Sequence, residues 1–282
     1  MIPKPDTRTP ATHADFPGLG RVCRLGLALR GNTALMAEDV AEAVERGVNF
    51  LNWPGLEHES GLTAYLRALG KDREKVFVAA QFMARTAEEA KREWDGMRET
   101  LQTEYLDVLT YYYVESEAEW KQIIGPGGAA GVLEKARENG EVKVLGLTSH
   151  QRDLAAKWMD TDHLDALMIR YNAAHLGAEQ DVFPVAGKLK KPVVVYAVLR
   201  WGALLRPTPE DPPGFSPPSA TDVYRFALCH PSVTVALMAP DGRAELEANL
   251  TLLTEGMGMS REAYQALAGH GGRVRAHRPY FP

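Results

Sequence analysis

The amino-acid sequence predicts one α/β domain folded as a (β/α)8 TIM barrel, and three observations carry that expectation. Short apolar runs recur at Leu25–Leu29, Val48–Leu51, Val76–Ala80, Val108–Tyr113, Val142–Leu147, Ala166–Ile169, Val193–Leu199 and Val233–Met238. Most successive runs are separated by stretches with apolar residues at helical spacing, and regular β-then-α alternation implies parallel strands joined by crossover helices. Eight such units in about 250 residues is the size of this barrel. The rival, a doubly wound open sheet, usually carries a glycine-rich phosphate loop after its first strand. Here the first run continues into "GLALRGNT", which does not match G-x-G-x-x-G.

The elements follow in order. Residues 1–20 hold three prolines before residue 11 and read as a loose arm. "MAEDVAEAVERG" reads as a helix closed by Gly47, because a glycine just past a helix takes the left-handed conformation without a Cβ clash. Thr86-Ala-Glu-Glu89 is a capping box opening a helix through about Thr103. "GGAAGVLEKARENG" ends in the same way at Gly140. Residues 206–219 hold six prolines, which excludes helix and central strand. After the seventh strand this segment is either an insertion loop or a lid over the C-terminal face. Residues 260–277 read as a last polar helix outside the barrel. No repeat or linker divides residues 1–282, so one domain is expected.

Composition narrows the function classes. The 282 residues carry a net charge of −5, with pI near 5.9, and give no general basic footprint for nucleic acid. No stretch approaches the roughly 18 apolar residues that span a membrane, and the N-terminus lacks the apolar core of a signal peptide. Cys23 and Cys229 alone make no disulfide framework. A cytoplasmic protein acting on a small molecule is expected; oligomeric state is not legible.

Barrel sites form where strands end at the C-terminal face. The polar residues there are Asn52, Gln81, Thr110, Tyr112, Thr148, Ser149, His150, Arg170, Asn172, Tyr196, Arg200 and Trp201. Alternation puts Tyr112 and Thr110 on one face and sends Tyr111 and Tyr113 toward the helices. Glu57 and His58 follow the second run; His58 titrates in a range useful for acid–base work. Trp53, Trp201 and Phe215 suggest an apolar-walled pocket. Three histidines, His58, His150 and His175, fall near this face, but no H-x-H pair occurs, and no metal is expected.

The order of motifs resembles the aldo/keto reductase superfamily over about residues 24–253. "AVERGVNFLN" resembles the segment carrying its catalytic aspartate, "DREKVFVAAQ" the strand ending in its lysine, and "YLDVLTYYYV" the strand bearing its histidine. "GEVKVLGLTSH" resembles its "GK-V-R-x-I-G-V-S-N" stretch, "VVVYAVLRWGALL" the strand whose tyrosine stacks on nicotinamide, and "DGRAELEANL" its last cofactor-binding helix. The resemblance implies a barrel and an NAD(P)-dependent oxidoreductase acting on a carbonyl or alcohol.

All four catalytic positions differ from the family's Asp, Tyr, Lys and His. Asn52 stands at the aspartate, Glu57 at the tyrosine, Gln81 at the lysine and Tyr112 at the histidine. Removing Asp and Lys together leaves two amides able to bond each other, whereas removing one would strand a buried charge. Without a neighbouring lysine, Tyr112 keeps a pKa near 10 or above and is a weak acid. Arg170 is the candidate replacement charge, and Glu57 or His58 a replacement acid. For the cofactor, the resemblance implies Tyr196 as the stacking ring and Thr148 and Ser149 at the carboxamide, where Met168 replaces a glutamine. It also implies Leu199, and Asn249 at the adenine. Ala239 and Glu245 fall where a 2′-phosphate needs cations, with Arg243 close by as compensation, so NADP is not specified over NAD. Two other readings stay open: a catalytically silent ligand- or cofactor-binding barrel, and a non-redox acid/base enzyme using Glu57, His58 and Arg170.

Overall fold

A computed structural model describes residues 11–29, 34–53, 55 and 60–278. Eight parallel strands close a barrel: β3 (Leu25–Ala28), β4 (Phe50–Trp53), β5 (Phe77–Phe82), β6 (Leu106–Tyr111), β7 (Val142–Thr148), β8 (Ala166–Arg170), β9 (Val193–Tyr196) and β10 (Val233–Met238), with β10 pairing back onto β3. Each falls on one of the eight apolar runs. The (β/α)8 barrel is therefore the fold.

Helices α1 (Ala37–Glu45), α2 (Gly61–Ala68), α3 (Ala87–Leu101), α4 (Glu117–Ile124), α5 (Ala130–Glu138), α6 (Arg152–Met159), α7 (Val182–Leu189), α8 (Ala220–Leu228), α9 (Arg243–Leu250), α10 (Leu252–Glu255) and α11 (Arg261–His277) surround it. The Thr86–Glu89 capping box forms. The helix ends at Leu101, two residues before the expected Thr103, because Gln102 turns left-handed at φ 52°.

Two cores follow from strand alternation. Inward residues Phe50, Ala79, Val108, Val144, Ala166, Met168, Val194, Val235 and Leu237 fill the cylinder. Outward residues such as Leu51, Trp53, Leu109, Tyr111, Leu147 and Val195 pack under the helices. Gly26 has no room for a side chain, since a Cβ there would lie 2.8 Å from Val235 and 2.9 Å from Leu237.

The N-terminal arm is not loose over its described part. β1 (His13–Phe16) and β2 (Gly20–Cys23) form an antiparallel hairpin. Phe16 stacks on Phe50 at 5.9 Å, and Val22 joins the same interior cluster, so the hairpin plugs the cylinder's N-terminal end. Hydrophobic burial of Phe16 and Val22 fixes the described part of a segment that its prolines, at residues 3, 5 and 10, suggested was a loose arm.

Residues 206–219 dock on α11. Asp211 receives the Arg273 Nε–H at 2.6 Å and lies 3.3 Å from His270, while Phe215 packs over His270 and Arg273. Burial alone would raise the Asp211 carboxyl, but the Thr208 backbone N–H, Arg273 and His270 outweigh it and hold it at about 2. Among the described residues, no helix is long and apolar enough to cross a membrane.

Candidate active site

The site is built on the inward positions at the C-terminal strand ends. Asn52 follows Phe50 in inward parity, Gln81 follows Ala79, Thr148 follows Val144, Arg170 follows Met168, and Tyr196 follows Val194. Gln81 pairs in register with Thr110, and Arg170 with Tyr196. The ring of candidates thus faces one mouth.

At its floor the Gln81 Nε2–H donates to Asn52 Oδ1 at 2.8 Å, and the same nitrogen lies 3.6 Å from the Met168 sulfur. Asn52 is buried. The bond pairs a donor of one amide with the acceptor of the other, which spares those two atoms the penalty of an unmet hydrogen bond. The floor carries no fixed charge among these residues.

Above it lies a tyrosine wall. Tyr112 is partly buried, and burial first, then the neighbouring Tyr113 hydroxyl, pushes its pKa well above the ordinary phenol value. Tyr111 faces outward as expected, edge-on to Trp120 at 5.9 Å. Tyr113 does not. Its φ is 45°, so the ring leaves the strand's alternation and swings into the mouth, 4.0 Å from the Tyr112 ring, 4.3 Å from His150 and 6.5 Å from Tyr196. Alternation binds only residues inside a ladder; Tyr113 lies two past the end of β6, where nothing local in the sequence announces the turn. His150 is held by Glu115, at 3.3 Å from its Nδ1.

Two hydroxyls at the mouth, Thr148 Oγ1 and Tyr196 OH, are buried without a hydrogen-bond partner among the described residues. Tyr113 approaches Tyr196 without reaching hydrogen-bond geometry, and burial, then Tyr113, raises the Tyr196 pKa far above its ordinary value. Ser149 is committed locally, accepting the Gln151 N–H at 3.0 Å. Leu199 packs against the outer core, and Asn249 is buried on α9.

The α1–α9 corner, where the resemblance implies the adenine, is acidic. Arg243 is bound by Asp39 at 3.0 Å, by Glu42, and by Glu247 at 2.9 Å. Its hydrogen bond to Glu247, then the Glu42 charge, raises its pKa further. Glu245 accepts the Asp241 N–H at 2.9 Å. Arg243 therefore serves the α1–α9 contact, and a 2′-phosphate at this corner would meet carboxylates.

Other expectations shift. Trp53 is fully buried in the outer core and donates to Thr63 at 3.0 Å, and Phe215 lies on α11, so neither walls the mouth. Trp201 is 59% exposed. Glu57 and His58 lie outside the described residues. Among the described residues, no group of three or more His, Cys, Asp or Glu could hold a metal ion.

Comparison with known proteins agrees with the barrel fold. The model of the aldo/keto reductase family matches residues 29–223. An aldo-keto reductase from Bacillus halodurans, AKR11C1 in its apo form, superposes with a TM-score of 0.74 at 16% identity, covering 93% of this chain and 96% of that one. An aldo/keto reductase from Klebsiella pneumoniae in complex with NADP and acetate superposes at 0.73 with 17% identity and the same coverages. No curated protein matches the chain in sequence.

Proposed function

Because the chain belongs to the aldo/keto reductase family, we propose that it is a carbonyl or alcohol oxidoreductase using NAD(H) in preference to NADP(H), with Tyr112 as its hydrogen-bond donor. The pair of buried, partnerless hydroxyls, Thr148 Oγ1 and Tyr196 OH, carries the reading. Buried polar groups in proteins are almost always satisfied, and a planar carboxamide bearing both donor and acceptor atoms suits the Thr148 hydroxyl on β7 and the Tyr196 ring on β9, with β8 between them. The structurally similar Klebsiella protein was crystallised with NADP and with NADPH. Here the carboxylates Asp39, Glu42, Glu245 and Glu247 around the α1–α9 corner argue against a phosphate dianion and for the unphosphorylated cofactor.

The bound cofactor would exchange a hydride with the substrate carbon. The chain's own part is polarisation and proton supply. Burial keeps Tyr112 protonated throughout the ordinary pH range, so its O–H donates to a carbonyl oxygen and protonates it as negative charge develops there. Tyr113, ring to ring with Tyr112, orients that hydroxyl. The amide pair Asn52–Gln81 leaves Tyr112 without the cation that would lower its pKa, so turnover is expected to be slow and flat from pH 6 to 9 (about one decade or less of change).

Calorimetric titration with NADH and NADPH, followed by turnover of an aldehyde panel, tests this. NADH binding at least tenfold tighter than NADPH, with aldehyde reduction, is the expected result. Absence of binding by either at millimolar concentration removes the redox reading. A second reading, a silent binding barrel, is favoured by the uncharged floor; cofactor binding with no turnover of any aldehyde would select it.

A further inference from the structure

Beside the tyrosine wall, the loops following β7, β8 and β9 gather arginines. Arg170 ends β8, in register with Tyr196, and is half-buried. Arg152 opens α6; its Nε–H meets Asp181 at 2.9 Å and its guanidinium lies so close to Gly177 that a Cβ there would stand 2.4 Å away. Arg200 is buried and donates to the Val274 carbonyl at 2.9 Å and to the Arg278 carbonyl, which brings the end of α11 to the mouth. Arg275, on that same turn, is exposed.

His175 lies two residues before the Gly177 that the Arg152 guanidinium covers, and its Nδ1 is 3.2 Å from Asn172 Oδ1; Asn172 in turn donates to the Ala197 carbonyl at 2.8 Å. Burial, then Arg170, Arg200, Arg275 and Arg152, lowers the His175 pKa to about 4. Burial, and the cations Arg152 and Arg275 against Tyr196 and Tyr113, also leaves Arg170 below the usual guanidinium range. Arg200 is lowered likewise by burial, then Arg170, Arg275 and Arg278. In a chain of net charge −5, these like charges are held together beside the mouth, with Asp181 engaging Arg152. Like charges kept this close raise the local concentration of anions.

We propose that this arginine cluster binds the anionic end of the substrate, so that the substrate class is small carbonyl compounds carrying a carboxylate or phosphate. The proposal builds on reading the mouth as a small-molecule site. Arg170 sits nearest the reacting end beside Tyr196, and Arg275 supplies an outer contact. Planar guanidinium groups bind such oxyanions by paired N–H donors. The diphosphate of a dinucleotide offers the same chemistry, and the test separates the two sources.

The probes are 4-carboxybenzaldehyde and neutral benzaldehyde for turnover, benzoate and benzamide for calorimetric binding, and NADH. The wild-type protein is expected to favour each carboxylate over its neutral partner by about tenfold or more, less so at high salt. Arg275→Glu should abolish that preference, while Arg261→Glu, the same charge change at the far end of α11, should leave it. Equal affinity for benzoate and benzamide overturns the proposal, as does a preference untouched by Arg275→Glu. Loss of NADH affinity in Arg275→Glu with carboxylate preference retained also overturns it, assigning the cluster to the cofactor. Should no aldehyde turn over, the benzoate comparison still decides, so failure of the redox reading and failure of this one are distinct results.

Discussion

Asn52 and Gln81, which the sequence resemblance aligns with an oppositely charged pair, are joined by a 2.8 Å hydrogen bond, and that bond accounts for two uncharged amides side by side in a closed barrel. Each amide meets the other's need, whereas a lone charge would be stranded. Gln81→Lys alone is therefore expected to destabilise by about 3 kcal/mol, and Asn52→Asp/Gln81→Lys to recover most of that loss. Denaturant melts of the four-member cycle measure the coupling, and additive effects would refute the pairing. The same cycle reads on catalysis: the restored cation lowers the Tyr112 pKa, so the double variant should gain a pH-dependent limb that the wild type lacks. Tyr112→Phe is expected to lower kcat by about 100-fold or more, the scale of a lost general acid, with the KM of NADH unchanged. Full turnover in that variant would remove Tyr112 from the mechanism. Strand alternation sent Tyr113 toward the helices; its left-handed φ, not its identity, brings it to the mouth instead.

At the scale of elements, the strands were legible because buried parallel strands are written as continuous apolar runs. Their ends were less so: β4 starts two residues into its apolar run and continues to Trp53, and β9 stops at Tyr196, three residues short of the end of its run. Ladder hydrogen bonds to neighbouring strands set those limits, and they are non-local. β6 shows what such neighbours hold in place. Its Asp107 is fully buried, accepts the Val78 N–H and pairs with Arg73 at 2.8 Å and with Lys143 at 2.8 Å. Asp107→Ala would strand Arg73 and leave Val78 unpaired, with an expected loss of about 3–5 kcal/mol in urea melts. Gly26→Ala tests packing on the opposite side: overfilling the cylinder against Val235 and Leu237 is expected to destabilise by about 1–3 kcal/mol.

For the molecule as a whole, acid sensitivity follows from one buried histidine, His230, and one half-buried histidine, His175. Burial lowers His230 to about 4, and burial with the surrounding arginines lowers His175 to about 4. Unfolded histidine titrates near 6.5, so between pH 6.5 and 4 the unfolded chain binds more protons than the folded one. Stability is then complete above about 6.5 and falls as pH drops through that window. His230 is the cleaner probe, being 6% exposed and away from the arginines. A His230 replacement that folds should flatten the pH 6.5–4 slope of the unfolding free energy by about 2 kcal/mol in total; an unchanged slope would contradict the assignment. By itself the sequence determined the strand count, the barrel and the family likeness, because periodicity and residue identity are local properties of the chain. Only the tertiary structure decided that two distant amides touch, that Tyr113 turns inward, that Arg243 is spent on α1, and that arginines from separate loops converge near Tyr196. Those outcomes depend on barrel closure and on where α11 docks, which bring together groups tens to hundreds of residues apart.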